Sequence, residues 1–261
     1  MTHGLTIAAG HSSTWVETLG EHDAIVGSPP REVHIRLAAD SRLTHYRLLG
    51  PDGAPDVADR LTVEIGAGAS YEQRMLAAPT GQFRSEQTIR LNGRGASATL
   101  SGACVALPQA QLDFDIKVTH EADDTVSDQR INLLGADRGK ATAQVETRVP
   151  PGRHRVTANQ LLRAMQPEGK AVITLQPRLS ILSDDVVCRH GATTSAIRDD
   201  ELHYLRSRGI ARDDAVAILS EAFLRQMLPA GDQHGEGEVG HAIDRVLSLA
   251  LKREAEAVHE A

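Results

Sequence analysis

The chain has 261 residues, a formal net charge of −7 and two cysteines, and aromatic residues make up only 3% of it. No Lys/Arg-rich run is present, so we expect no nucleic-acid partner, and no apolar run approaches the roughly 18–20 residues that span a bilayer. The two cysteines lie far apart and predict no disulfide framework, and the N-terminus lacks the features of a secretory signal. We therefore expect a cytoplasmic protein with no membrane partner and with both thiols reduced.

Strand-like sequence begins near residue 30 and continues to about residue 187, with apolar and polar residues in alternation. This period of two is typical of half-buried strands. Glycine-rich or charged turn signals separate the strands, and no helical segment interrupts them, so the region is predicted to be an all-β domain. The alternating segments are REVHIRLA, RLTVEIGAG, QTIRLNG, QLDFDIKVTH, ATAQVETRV and KAVITLQPRLSIL.

An internal repeat links two of these segments. VEIGAGAS and IRLNGRGAS share an apolar-x-apolar strand end and a Gly-x-Gly-Ala-Ser turn, the second about 27 residues after the first. A repeat of roughly 20–30 residues with strands and glycine-rich corners favours a β-solenoid. Evenly spaced strands also build sandwiches and barrels, so the pattern alone leaves both architectures open.

The periodicity becomes helical after Ala192. A first helix is predicted in RDDELHYLRSRGI. Its acidic residues near the beginning are a helix start signal, and Gly209 is a helix stop signal. A second helix follows in RDDAVAILSEAFLRQMLP, and a third is predicted from about Val239 to Val258. The predicted domains are an N-terminal segment 1–30, a β core 31–191 and a C-terminal helical domain 192–261.

Cys188 and His190 lie close together in LSDDVVCRHGATTSAI, where the strand-like pattern gives way to the helical one. Thiol and imidazole are soft metal ligands, and residues i and i+2 of a strand point to the same face. A Cys-x-His pair is a weak metal signal, because zinc sites usually need four ligands. The residues alone leave two interpretations open, namely convergence on one ion, or a packed cysteine followed by an exposed turn histidine.

Other motifs that carry chemistry are absent from the sequence. There is no GxxxxGK[ST] phosphate loop, so the chain should not hydrolyse ATP itself, and no GxSxG elbow or HExxH helix. Cys104 lies in the apolar segment SGACVAL and is predicted to be a core residue. His120 is the histidine to note among otherwise scattered ones, because it ends an alternating strand. Two thiols cannot supply the four cysteine ligands of an ordinary iron–sulfur cluster.

The segment PRLSILSDDVVCRHGATTSAIRDDELHYLRSRGI resembles the C-terminal signature of the SufB/SufD family of iron–sulfur cluster assembly proteins. The upstream segment VTHEADDTVSDQRINLLGADRGKATAQVETRV is similar to the core strands of that family. Gly191 resembles the SufD branch, because SufB-type chains tend to carry glutamate after this histidine, and the chain resembles a SufD that is short at its N-terminus. The signature is carried by Pro177, Leu179, Ile181, Asp184, Asp185, Val186, Cys188, His190, Gly191, Ala192, Thr193, Tyr204, Leu205, Ser207, Arg208 and Gly209.

The resemblance implies a right-handed parallel β-helix core followed by a small C-terminal helical domain. It implies a non-catalytic scaffold subunit that pairs with a SufB-like chain, or with itself, and docks the ABC ATPase SufC. An iron–sulfur cluster would form transiently at a subunit interface, with no cofactor bound stably by the chain alone. His190 and Cys188 then become a candidate half-site for iron or the nascent cluster. The helical residues expected to contact the ATPase are Tyr204, Leu205, Arg208, Val216, Leu219 and Phe223.

Two other functions remain compatible with a β-helix. One is a polysaccharide-active enzyme, which needs a groove with clustered acids and often exposed aromatic side chains. Three Phe, three Tyr and one Trp make a poor sugar-binding platform. The other is a purely structural subunit of an assembly complex that has no ligand role. Substitution of His190 would separate this structural subunit from the scaffold.

Overall fold

The computed structural model describes residues 2–19, 30–52, 56–167 and 170–228, together with His241, Asp244, Arg245 and Ser248. Fourteen strands precede two helices in these ranges. The strands are β1 Thr2–Ile7, β2 Ser12–Thr18, β3 Arg31–Leu37, β4 Arg42–Leu49, β5 Val57–Ile65, β6 Ser70–Ala77, β7 Gln82–Leu91, β8 Ser97–Ala106, β9 Gln111–His120, β10 Val126–Gly135, β11 Lys140–Val149, β12 His154–Met165, β13 Val172–Ile181 and β14 Asp185–Ser195, and the helices are α1 Asp199–Ser207 and α2 Arg212–Arg225.

The strands form two parallel sheets of seven strands each. One sheet contains all the odd-numbered strands and the other all the even-numbered strands, each in sequence order. Each strand from β1 to β12 therefore pairs with the strand two positions further along the chain, as Gly4 pairs with His34 and His34 with Thr62. Each turn of the coil takes one strand from each sheet. The structure thus confirms the predicted parallel β-helix, and not the sandwich or barrel.

The corners of the coil explain the glycine repeat. Residues with positive φ recur at the same corner of successive turns, and among them are Gly68 at 65° and Gly95 at 73°. The Gly68 N–H donates to the Arg94 carbonyl of the next turn at 2.9 Å. A Cβ on Gly68 would lie 2.2 Å from the Asp40 carboxylate oxygen of the previous turn. Glycine is favoured there both by backbone conformation and by the close approach of the neighbouring turn.

The interior of the coil is mainly aliphatic, but its N-terminal turns contain a buried ionic cluster. The Arg47 side chain lies between the carboxylates of Glu17 and Asp59, with its Nε 2.8 Å from Glu17 Oε2. All three side chains are at most 2% exposed. Arg31 also pairs with Glu17. Because Glu17 and Arg47 belong to the even sheet while Arg31 and Asp59 belong to the odd sheet, the cluster ties the two sheets together.

The helices pack on the side of the coil. Helix α2 lies against β8 and β10, where Asn132 donates to the Phe223 carbonyl at 2.6 Å. Helix α1 has no buried residue and packs on α2. Of the predicted third helix, four residues are described as helical and the others lie outside the described residues. Among the residues that the structure describes, no helix is both long and apolar enough to cross a membrane.

Two predicted domain boundaries differ from the structure. Strands β1 and β2, within the segment predicted to precede the core, belong to the same two sheets as the rest. Their pairing with β3 and β4 makes them part of the coil, although their own alternation is weak. At the other end, β14 continues to Ser195, past the predicted boundary after Gly191. In both cases hydrogen bonding to the neighbouring strand determines the strand conformation, although the local sequence pattern does not predict it.

Candidate functional site

Cys188 and His190 lie in the middle of β14, the last strand of the even sheet. The prediction of a strand-to-helix junction at this point is wrong, because β14 continues through Gly191 to Ser195 and α1 begins only at Asp199. The parallel ladder with β12 holds these residues extended along the whole strand. His190 is exposed and Cys188 is half-buried. The pair therefore occupies the open edge of the solenoid.

Both side chains belong to the face of β14 that continues the interior of the coil. Cys188 pairs with Ala158 and His190 with Gln160 in the parallel ladder, and both of these β12 residues are buried. Since in-register residues of neighbouring strands share a face, Cys188 and His190 form the outermost layer of that interior. Burial raises the pKa of the Cys188 thiol, and a hydrogen bond to the Ala158 backbone only partly offsets this. A metal ion or a basic partner would be needed to ionise it.

The described residues offer too few ligands for a closed metal site. No group of three or more His, Cys, Asp or Glu side chains in the described ranges could hold a metal ion. The other cysteine, Cys104, is fully buried, and desolvation raises its pKa well above the usual value. Cys104 is thus a core residue, as predicted. Of the predicted metal-ligand residues, the structure places Cys188 and His190 on one face of β14 at an open sheet edge.

Gln160 lies directly behind His190 and is held by hydrogen bonds to the opposite sheet. Its Nε2 donates to Thr147 Oγ1 at 2.7 Å and lies 3.3 Å from the carbonyls of Val145 and Arg178. Thr147 donates in turn to Gln129 Oε1 at 3.0 Å. Gln160 Oε1 is buried and has no hydrogen-bond partner among the described residues.

The comparisons with known proteins decide the family. Residues 5–223 match the family described as "SUF system FeS cluster assembly, SufBD core domain". The chain belongs to the SufBD family. This match covers the whole coil except the start of β1, and also both helices except the end of α2.

Two relatives illustrate this membership. The chain is 26% identical over 237 residues to the iron-sulfur cluster assembly protein SufD of Escherichia coli (strain K12), which covers 87% of this chain and 54% of that protein. It is 28% identical over 196 residues to the iron-sulfur cluster assembly SufBD family protein slr0076 of Synechocystis sp., which covers 74% of this chain and 43% of that protein. The chain thus spans about half the length of the curated SufBD relatives it matches.

His120, which ends strand β9, is a buried structural group. It is fully buried, with Nδ1 2.8 Å from Thr125 Oγ1 and Nε2 2.9 Å from Ser127 Oγ. Burial lowers the pKa of His120 to about 4. Both ring nitrogens are already bonded to hydroxyls, so the neutral ring joins β9 to β10.

The residues predicted to contact an ATPase differ in accessibility. Tyr204 is 59% exposed, and the Arg208 guanidinium lies 5.3 Å from its ring centroid. Leu205, Val216 and Leu219 are half-buried. Phe223 is only 3% exposed, because it packs on the coil. The prediction that Phe223 contacts a partner does not fit this position.

The roles of several residues in this SufBD chain were not predicted from the sequence. Gln160 pairs with His190 across 30 positions of the chain, and nothing local marks that pairing. Asn132 and Arg163 hold helix α2, since Arg163 Nη1 lies 2.7 Å from Gln226 Oε1 and its guanidinium 5.3 Å from the Phe223 ring centroid. Ile218 is an apolar residue of α2 that is 46% exposed, and a helical wheel of the sequence could have identified this exposed apolar position.

Proposed function

We propose that this chain is a scaffold subunit of a SUF-type iron–sulfur cluster assembly complex, without catalytic turnover of its own. The single observation that carries the proposal is the Cys188–His190 half-site at the open edge of a SufBD core. Two soft ligands on one strand face suit a cluster or iron ion that is completed by ligands from a second chain. Family membership favours this scaffold over a polysaccharide-active enzyme. Gly191 and the similarity to SufD favour the D type.

The second chain is proposed to pair with the C-terminal edges of the solenoid. β13 and β14 are the terminal strands of their sheets, so their outer backbone groups have no neighbouring strand in the described structure. Exposed apolar side chains accompany these edges, with Val172 60% and Val187 54% exposed. Unpaired strand edges with apolar side chains bind other strands readily. A SufB-like chain or a second copy of this chain would place its ligands next to His190.

The helices are proposed to dock a SufC-like ABC ATPase. Helix α1 has no buried residue and exposes Tyr204 and Arg208, which are residue types enriched at the centre of protein interfaces. Helix α2 is anchored on the even sheet, so it would support α1 without being the main contact. The chain is proposed to act in the cytoplasm and to hold the cluster only transiently.

Co-expression with a SufC-like ATPase and a SufB-like chain tests this proposal. Affinity purification through this chain should recover both partners. Truncation after Gly209 removes helix α2, on which α1 packs, and should therefore abolish ATPase binding while the β-sheet circular dichroism signal remains. Recovery of neither partner would contradict the proposal.

Complementation of a strain that lacks the native gene tests the half-site. His190→Ala should leave the melting temperature nearly unchanged, because an exposed side chain contributes little to folding stability, but cluster maturation should fall sharply. Full complementation by His190→Ala would contradict the ligand role and favour a purely structural subunit.

A further inference from the structure

The geometry points to Gln160 as the positioning residue of His190, with Gln160 Oε1 accepting the hydrogen bond of one imidazole N–H while the other ring nitrogen binds metal. This inference rests on the proposed ligand role of His190. It concerns a side chain that is 3% exposed and lies one strand behind the half-site.

The orientation of the Gln160 amide follows from its neighbours. Its Nε2 faces two backbone carbonyls, those of Val145 and Arg178, at 3.3 Å each. Carbonyl oxygens only accept hydrogen bonds, so the atom that faces them must be the NH2 group. The third neighbour, Thr147 Oγ1, donates to Gln129 and therefore accepts from Gln160. These contacts exclude the flipped amide, in which Oε1 would face the two carbonyl oxygens.

The remaining atom, Oε1, is a buried acceptor without a partner among the described residues. Buried amide oxygens are rarely left without a hydrogen-bond donor, because an unsatisfied buried acceptor destabilises the folded state. Nε2 reaches Val145 in β11 and Arg178 in β13, which belong to two successive turns. The amide thus lies between the turn of Gln160 and the last turn, which carries His190.

His190 is placed to supply the missing donor. It is the ladder partner of Gln160 and shares its strand face, and neighbouring parallel strands are only about 4.8 Å apart. A histidine that binds metal through one nitrogen carries a proton on the other, and that N–H is almost always bonded to a carboxylate, carbonyl or water. Gln160 Oε1 would select one tautomer of His190 and restrict the rotation of an otherwise exposed ring.

Zinc binding by the complex of the full chain with a SufB-like chain, whose ligands are proposed to complete the half-site, tests the inference, with Zn²⁺ as the probe. We expect Gln160→Met, which keeps side-chain length but removes the acceptor, to raise the Zn²⁺ dissociation constant ten- to hundredfold, the range typical of lost outer partners of a ligand. Gln129→Met is the matched control, because it removes a buried glutamine from the neighbouring strand that also bonds Thr147 but does not adjoin His190. This control should stay within twofold of the wild type.

A second measurement does not depend on binding affinity. Nitrogen-15 NMR of the wild-type His190 ring with Zn²⁺ should show one metal-bound nitrogen and one hydrogen-bonded N–H in a single tautomer, and Gln160→Met should give a mixture. Unchanged affinity and tautomer in Gln160→Met, with binding lost in His190→Ala, would overturn the positioning role alone. Wild-type affinity of the complex in His190→Ala, or no Zn²⁺ binding by the wild-type complex, would overturn the ligand role and this inference together.

Discussion

The side-chain amide of Asn132 donates a 2.6 Å hydrogen bond to the backbone carbonyl of Phe223, which joins strand β10 to the last turn of helix α2. The last four carbonyls of a helix have no partner within it, so Asn132 satisfies one of them in a buried position. Arg163 from β12 lies over the Phe223 ring and adds a positive charge near the same helix end. The helical domain is therefore fastened to the side of the coil at this point.

Asn132→Ala should loosen helix α2 and destabilise its docking by about 1–3 kcal/mol, because a buried carbonyl would lose its donor. Hydrogen exchange of the α2 amides should become faster while the amides of β5 to β9 keep their protection. The matched control is Asn159→Ala on the neighbouring strand β12, whose side chain is half-buried. Equal exchange rates for α2 in both variants would show that the Asn132 bond does not hold the helix.

His120 should make folding stability depend on pH. Burial lowers the pKa of His120 to about 4, whereas an unfolded histidine titrates near 6.5. Between these values the unfolded state binds the extra proton, so the contribution of His120 is complete above about pH 6.5 and declines as the pH falls toward 4. The loss amounts to roughly 3 kcal/mol for a shift of this size. Urea unfolding from pH 7.5 to 4.5 measures it.

The matched variant for this measurement is His120→Gln, which keeps a donor and an acceptor but does not titrate. Its stability should fall less steeply with decreasing pH than that of the wild type. A residual slope is expected from His45, because burial also lowers the pKa of His45. Parallel pH profiles for the wild type and His120→Gln would contradict the prediction.

Glu17→Ala should destabilise the protein strongly by leaving Arg47 buried with one carboxylate fewer. Removing one partner of a buried ion pair costs about 3–5 kcal/mol. Burial opposes the ionisation of Glu17, but the hydrogen bond with His45 and the charge of Arg47 hold the pKa of this carboxyl well below its usual range. The carboxylate is thus charged at neutral pH, and its contribution is lost only in strong acid.

The fluorescence of Trp15 reports on the structure around this buried cluster. Trp15, the single tryptophan, stacks on His45 with ring centroids 4.4 Å apart. Its emission should shift to the red in Glu17→Ala as the N-terminal turns open. The control is Glu64→Ala, which breaks the surface pair with Arg36 and should cost no more than about 1 kcal/mol. Similar melting temperatures for the two variants would refute the importance of the buried cluster.

The strands of the odd sheet could be predicted from the sequence because their outer face is in contact with solvent. In β9 and β11 buried positions alternate with less buried ones along most of the strand, which produces a clear period of two. Strands β8 and β10 lose this period in their second halves, as in β8, where Ala103 to Ala106 are all buried. Helix α2 lies against that part of the sheet, so both faces are covered and the alternation disappears.

The candidate half-site could be predicted only in part, because it depends on the pairing of strands that lie far apart in the sequence. Cys188 and His190 are visible as residue types, but the change from a strand-like to a helical pattern predicted a junction where the ladder with β12 in fact keeps the chain extended. Gln160 acquires its role from a register between distant segments, and no local spacing encodes that register. Solenoid sites are assembled across turns, so their second layer of residues appears only in the structure.

Tyr204→Ala should weaken capture of a SufC-like ATPase at least tenfold without changing the melting temperature. The Tyr204 ring is 59% exposed and lies 5.3 Å from the Arg208 guanidinium, so its loss removes contact area for a partner and little packing within the chain. His203→Ala, at an exposed position on the same helix, is the control and should bind as the wild type does. Phe223→Ala should instead lower the melting temperature, because its side chain is buried on the coil. Surface-immobilised chain and purified ATPase give the affinities, and wild-type binding by Tyr204→Ala would place the ATPase contact elsewhere.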